Sequence, residues 1–110
     1  MTLDDLAAYG ANVEEGLGRC MGMKDFYLGL VERVKTDGGF DKLRAAIDAG
    51  DYDAAFEAAH GLKGILANLA LTPMLEPVEQ VTEMLRPKQP VDCGALVDQI
   101  MDARERFLAL

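Results

Sequence analysis

Apolar residues recur at helical spacing along almost the whole chain, and no segment shows the alternation of apolar and polar residues that is typical of a half-buried β-strand. Cap and turn residues divide this pattern into segments joined by short loops, which favours antiparallel helix neighbours. A chain of 110 residues, half of them hydrophobic, suits one domain with one core. We therefore expect an all-α bundle in a single domain, residues 1–110, with the short N-terminal helices packed across one end.

Residues that favour helix ends set the expected boundaries. Thr2, Asn12, Asp51 and Asp92 are candidate N-caps, Gly50 is a stop, and Pro73 suits a first helical turn. The expected helices run from Thr2 to about Tyr9, Asn12 to Cys20, Lys24 to Lys35, Phe40 to Ala49, Asp51 to about Leu71, Thr72 to Arg86 with a bend or later start at Pro77, and Asp92 to about Phe107.

The same spacing predicts which side chains face the core. In three of these helices the expected inward residues are Phe26, Leu30, Val31 and Val34, then Phe40, Leu43, Ala46 and Ile47, and finally Leu96, Val97, Ile100 and Phe107. Met21, Met23, Met74, Met84 and Met101 are interpreted as core filler.

Charge and composition exclude several classes of function. Nineteen acidic residues against eleven basic ones give a net charge of −8, which argues against nucleic acid or an anionic membrane as partner. No apolar run is long enough to span a membrane, and the acidic N-terminus is unlike a signal peptide, so we expect a cytoplasmic protein. Cys20 and Cys93 are far apart with one histidine in the chain, so we expect two ordinary thiols and no metal site.

His60 is the only histidine in the chain, and the helical pattern around it predicts that it faces away from the core. At ~100° per residue, the apolar stripe of this helix lies about 140–200° from His60. The stripe is predicted to contain Ala58, Leu62, Ile65 and Leu69, flanked by Ala55 and Leu66. His60 should therefore point toward water or a partner molecule.

Two glycines interrupt this strongly helical segment beside the histidine. Gly61 and Gly64 each cost roughly 0.5–1 kcal/mol relative to alanine inside a helix. One explanation is the close approach of another molecule to the helix beside His60. The alternative is that the glycines pack against a neighbouring helix or are merely tolerated.

The run His60-Gly61-Leu62-Lys63-Gly64, followed by Asn68, resembles the H-x-L-K-G signature of histidine-containing phosphotransfer (HPt) domains. Ala45–Tyr52 resembles the helix, Gly-Asp turn and following helix of the family, and Asn12–Leu17 with Phe26-Tyr27 resembles its N-terminal part, so the likeness covers roughly residues 9–108. This chain departs from the family pattern at three places. It has Gly61 where the family often has threonine or serine, and Ala70 where it often has glycine. It also has Ile65-Leu66 where small or polar residues are common.

The resemblance implies an up-down antiparallel four-helix bundle and a place in a two-component phosphorelay. His60 would accept a phosphoryl group from a receiver-domain aspartyl phosphate, or in a histidine kinase pathway, and pass it to another receiver. The partners would be a response-regulator receiver domain, a hybrid histidine kinase or both. The partner would supply Mg²⁺, so we expect no cofactor in this chain and no kinase activity of its own. A carrier of this kind has no need to dimerise, so we expect a monomer.

The same reasoning assigns roles to the neighbours of His60. The Lys63 ammonium would attract phosphate oxygens or the acidic site of the partner, although a solvated lysine is the alternative. The docking surface would contain Gly64, Gly61, Ala67 and Asn68. An exposed imidazole is mostly neutral near pH 7 and therefore nucleophilic without a general base.

Other functions fit the sequence less well. A helical adaptor that binds a signalling partner through the same face, without phosphorylation, remains the alternative from a different class. A small helical enzyme would need a convergent set of titratable residues, which is not evident. The chain has no G-x-x-x-x-G-K-[ST] loop and no serine, which argues against nucleotide binding and excludes Ser-His-Asp chemistry.

Overall fold

The computed structural model describes all residues, 1–110, and contains α-helices and no strands, so the predicted all-α class is confirmed. The helices are α1 Leu3–Tyr9, α2 Val13–Arg19, α3 Lys24–Val34, α4 Gly39–Ala49, α5 Tyr52–Asn68, α6 Thr72–Leu85 and α7 Gly94–Leu108. None of them combines the length and the apolar character that crossing a membrane requires.

The last four helices, α4 to α7, form the bundle. Helix α5 packs between α4 and α6, α7 packs on α6, and a weaker contact between α4 and α7 completes the arrangement. One continuous cluster of buried apolar side chains fills the interior and contains residues from every bundle helix. The helix that carries His60 is therefore supported on two sides by its neighbours.

The predicted caps form at three of the four helix starts. The Thr2 hydroxyl accepts the N–H of Asp5 while the Asp5 carboxylate accepts the N–H of Thr2, which makes a reciprocal capping box. Asn12 accepts a hydrogen bond from the N–H of Glu15 at 3.2 Å. The Asp51 carboxylate accepts from the N–H of the residue three positions on, at 3.0 Å, and so caps α5.

The prediction for the last helix start was off by about one residue. Helix α7 begins at Gly94, and Cys93 occupies the cap position without a side-chain cap bond. The Asp92 carboxylate still accepts the N–H of Gly94, at 3.3 Å. Helix α6 begins at Thr72 and continues through Pro77, which is buried, so no later start occurs at that proline.

Helices α1 to α3, which we call the N-terminal cap (residues 3–34), are joined to the bundle by two tyrosine hydroxyls. The Tyr9 hydroxyl donates to the carbonyl of Ala103 in α7 at 2.7 Å, and the Tyr27 hydroxyl donates to the carbonyl of Leu69 after α5 at 2.9 Å. Burial raises the pKa of Tyr9 to about 12. The ring of Tyr27 lies against Gly16. A Cβ at position 16 would come within 2.5 Å of a ring carbon, so this packing requires the absence of a side chain there.

The chain after α5 turns through a conformation that favours glycine. Helix α5 ends at Asn68, short of the predicted end near Leu71, and Ala70 adopts a left-handed φ of +54°. The carbonyl of Ala70 accepts the N–H of Asn12 at 3.0 Å, which joins this turn to the N-terminal cap. Glycine adopts a left-handed φ without strain, which explains why the family often has glycine at this position. This chain adopts the same conformation with alanine.

Several predicted core residues lie at the surface instead. The side chain of Phe26 is 50 % exposed, and its neighbour Tyr27 is the aromatic residue that α3 buries. Met21 and Met23 are 81 % and 53 % exposed because they lie in the turn between α2 and α3, whereas Met74 is buried. Other residues expected inside are half-buried at the edge of the core: Leu30, Ile47, Leu96, Met84 and Met101.

Candidate functional site

His60 lies near the middle of α5 with its side chain exposed, as the sequence predicts. Its imidazole forms no hydrogen bond and no ion pair within the chain, and its one ring neighbour is Phe56. Both edges of the ring, where the nitrogen atoms lie, are therefore free of intramolecular partners. The ring is in a position to react with a group on another molecule.

The buried face of α5 is rotated relative to the predicted stripe. The buried residues are Ala55, Ala59, Leu62, Leu66 and, just beyond the helix, Leu69. The predicted member Ile65 is 40 % exposed, and Ala58 is half-buried. The stripe shifts because α5 packs against both α4 and α6, so the buried surface extends round to Ala59. His60 remains on the opposite, exposed side.

Gly61 and Gly64 face open space, which contradicts the alternative that they pack against a neighbouring helix. Apart from its chain neighbours and the backbone of its own helix, a Cβ on either glycine would meet no atom within 4 Å. Gly61 borders a groove between α4 and α5, and Gly64 borders a second groove between α3 and α5. The exposed Ile65 lines both grooves. The backbone beside His60 is thus accessible from outside the protein.

The remaining docking residues proposed from the sequence lie farther along the same helix. Asn68 is exposed, ends α5 and lines the α3–α5 groove with Gly64. Ala67 is half-buried. His60, Gly64 and Ala67 are spaced by four and seven positions, so they lie along one side of the helix. The structure brings all of these residues to one stretch of α5.

Lys63 is half-buried. The positive charge of Lys63 contributes to the lowered pKa of Glu83 in α6. The pKa of Glu83 is lowered chiefly by its hydrogen bonds with the Arg86 guanidinium, at 2.8 and 3.1 Å, and to a smaller degree by Lys63.

Phe56 is the neighbour of His60 that the sequence interpretation missed. The two rings are stacked, with centroids 5.6 Å apart and planes inclined by 28°. The guanidinium carbon of Arg86 lies 5.4 Å from the centre of the Phe56 ring, and the Lys88 ammonium lies 5.3 Å from it. Phe56 precedes His60 by four residues, a spacing that places two side chains together on a helix and could have revealed the pair.

Lys88 joins the connector after α6 to the first half of α5. Its ammonium lies 3.7 Å from a carboxylate oxygen of Asp53 and 3.7 Å from one of Glu57. Its backbone is left-handed, with a φ of +57°. The two acidic residues and the ring of Phe56 together fix the side chain of Lys88 over α5. The connector thereby supports the surface that carries His60.

Metal ligands are not assembled anywhere in the chain. No group of three or more His, Cys, Asp or Glu side chains is arranged to hold a metal ion. Cys20 and Cys93 are both free and buried, and burial raises the pKa of the Cys93 thiol. The arrangement on α5 thus offers one nucleophile and an open approach to it.

Comparison with known proteins identifies the family. A family model of the Hpt domain matches residues 35–109, which contain all four bundle helices and His60. The N-terminal part of the resemblance, before residue 35, lies outside this match. No significant match was found among curated proteins or among solved structures. The match covers well over half of the chain, and the protein therefore belongs to the Hpt domain family, whose members carry out histidine phosphotransfer in two-component systems.

Proposed function

We propose that this protein is a phosphocarrier of a two-component phosphorelay, with His60 as the residue that carries the phosphoryl group. The observation that supports this most is the combination on α5 of an exposed imidazole without intramolecular polar partners and open backbone at Gly61 and Gly64. A nucleophile that must reach into the active site of another protein needs such an unobstructed approach.

In the proposed step, a lone pair on a His60 ring nitrogen attacks the phosphorus of an aspartyl phosphate on a receiver domain. A nitrogen–phosphorus bond forms, the phosphorus–oxygen bond to the acyl group breaks, and the aspartate leaves as a carboxylate. The ring proton on the other nitrogen then leaves to solvent. The reverse step on a second receiver passes the phosphoryl group onward.

The proposal divides the catalytic groups between the two proteins. Phosphoryl transfer depends mainly on positioning and on neutralising the charge of the transferring oxygens. The receiver would supply Mg²⁺, while this chain would supply the nucleophile, the Lys63 charge and the docking surface of Gly61, Gly64, Ala67 and Asn68. We propose no kinase activity and no cofactor for this chain, and we propose that it acts as a monomer in the cytoplasm.

We also propose that residues 1–110 act as one HPt-like domain. The hydrogen bonds of Tyr9 and Tyr27 to bundle carbonyls tie the N-terminal cap to the matched region. The α3–α5 groove, which Gly64 and Asn68 border, also depends on α3. The cap therefore contributes to the proposed docking surface.

The alternative function is an adaptor that binds a partner without phosphorylation. The exposed Ile65, which lies between two grooves, favours docking of a partner whether the protein is a phosphocarrier or an adaptor. Docking alone does not require a histidine at position 60, so the two functions predict different behaviour when that side chain is changed.

The decisive experiment is transfer of labelled phosphate from a panel of receiver domains charged with a small acyl phosphate. We expect acid-labile, alkali-stable label on the native chain and none on His60→Gln, which should fold with a stability within about 0.5 kcal/mol of native. Label on both chains would show that His60 is not the residue that accepts the phosphoryl group. Binding of a receiver by both chains, without label on either, would favour the adaptor.

A further inference from the structure

The stack between Phe56 and His60 lies at the proposed site, but the phosphocarrier function alone does not require it. An exposed imidazole on a helix ordinarily samples more than one rotamer. In this protein one face of the ring lies against Phe56, with the centroids 5.6 Å apart and the planes only 28° from parallel. Aromatic pairs with offset faces at this separation attract each other beyond the effect of burial alone.

The geometry of an imidazole makes this contact compatible with reaction. The lone pairs of its nitrogens, and hence any new bond to phosphorus, lie in the plane of the ring. A neighbour on the face of the ring restricts rotation without covering either nitrogen. Phe56 therefore leaves the reacting edge open while it limits the directions in which that edge points.

Phe56 is itself held in place by groups from a different part of the chain. It is half-buried against the core, and Arg86 and Lys88 contact its ring from the end of α6 and the following connector. Lys88 is in turn paired with Asp53 and Glu57 on α5. Cations over an aromatic face add a favourable electrostatic contact. The ring of Phe56 is thus contacted both by the core and by residues from outside α5.

We propose that Phe56 is a positioning residue that fixes the orientation of the His60 imidazole for attack on a docked phosphoryl donor. This inference rests on the proposed function. Holding a nucleophile in one orientation speeds transfer within a docked complex, because fewer encounters present the wrong edge of the ring. Phe56 does not touch the reacting atoms, so its effect should appear in the rate after docking and not in docking itself.

The first test observes the orientation directly by NMR. His60 is the only histidine, so its two carbon-bound ring protons give signals that no other residue can produce. We expect the ring current of Phe56 to displace these signals in the native protein and in Phe56→Tyr. In Phe56→Leu they should move toward the positions of an unstructured histidine. Unchanged signals in Phe56→Leu would overturn the proposal.

The second test measures transfer from a phosphorylated receiver over a range of receiver concentrations. We expect Phe56→Leu to lower the maximal rate roughly two- to tenfold, as expected for loss of an aromatic pair, with little change in the half-saturating concentration. Phe56→Tyr should restore the rate. Phe26→Leu is the matched control, since it removes an exposed phenylalanine ring that does not stack on His60.

The outcomes separate this inference from the function on which it rests. A native rate in Phe56→Leu, or an equal loss in Phe56→Leu and Phe56→Tyr, would overturn the positioning role while leaving His60 as the acceptor. If the native chain accepts no phosphoryl group, the proposed function fails, and the NMR comparison still decides whether Phe56 orients the ring. Thermal unfolding of each variant identifies any loss that arises from folding.

Discussion

The N-terminal cap and the surface around His60 use polar groups in opposite ways. In the cap, buried or half-buried tyrosine hydroxyls donate to backbone carbonyls of the bundle, at 2.7 Å for Tyr9 and 2.9 Å for Tyr27. Around His60, the polar side chains are exposed or half-buried, and the charged pairs involve Glu83, Arg86 and Lys88. The cap therefore contributes to stability, while the His60 surface keeps groups that a partner can engage.

The physical reason for this difference is the cost of an unsatisfied buried group. A buried carbonyl that loses its donor costs about 1–3 kcal/mol, whereas an exposed group exchanges its partner for water at little cost. Removing the tyrosine hydroxyls of the cap should therefore lower the free energy of unfolding and leave transfer intact. Substitutions on the surface around His60 should slow transfer without lowering the free energy of unfolding.

The largest expected effect that separates the two regions comes from Gly64→Gln. Gly64 has open space around it, so a side chain fits in the free protein and should raise stability by about 0.5–1 kcal/mol through helix propensity. The same side chain would occupy the space that a docked receiver needs, and transfer should fall by about tenfold or more, a free-energy change of about 1.4 kcal/mol or more. Thermal melts and transfer rates measure the two effects separately.

Gly29→Gln provides the control for this change. Gly29 lies inside α3, is exposed, and has no atom within 4 Å of a built Cβ. We expect it to gain stability without a loss of transfer. Loss of stability in Gly64→Gln, with docking unaffected, would show that the glycine has a structural role after all.

Tyr27→Phe should have the next largest effect, and on stability alone. It removes the hydroxyl that donates to the carbonyl of Leu69, in a residue with no exposed surface, and should lower the free energy of unfolding by about 1–2 kcal/mol. Denaturant titration measures this loss, and the transfer rate per folded molecule should match the native rate. Tyr52→Phe is the control, because the Tyr52 hydroxyl forms no hydrogen bond within the chain. A large fall in transfer by folded Tyr27→Phe would contradict the separation of the two regions.

Lys63→Ala should have the smallest effect of the three. If Lys63 has the proposed electrostatic role, losing this partly exposed charge should slow transfer about two- to fivefold, with stability changed by no more than about 0.5 kcal/mol. Lys63→Arg keeps the charge and should retain most of the rate. Transfer by Lys63→Ala should also depend less on ionic strength, since screening acts on the removed charge. A native transfer rate in Lys63→Ala would show that Lys63 is a solvated lysine without a role in transfer.

Local sequence signals determined the helices and most of their ends. The caps at Thr2, Asn12 and Asp51 act between residues three apart, so the sequence alone contains both partners. The exposure of His60 was predicted for the same reason, because the angle between it and the apolar stripe is fixed by helix geometry. The resemblance at residues 60–64 pointed to the family that the match over residues 35–109 shows.

Tertiary packing decided what helix periodicity could not. Whether an apolar residue of a helix is buried depends on which sides of that helix its neighbours cover, so Ala59 is buried while Ile65 of the same helix is exposed. The open space at Gly61 and Gly64 is likewise a property of where α3 and α4 lie.

The sequence by itself determined the helical class, most of the helix starts and the side of α5 on which His60 lies, because these follow from interactions within a few residues. Only the tertiary structure decided how Phe56 is held. Arg86 and Lys88, which contact its ring, come from positions some thirty residues later in the chain. No local pattern specifies which residues so far apart in sequence meet, because that depends on how the helices pack around their shared core.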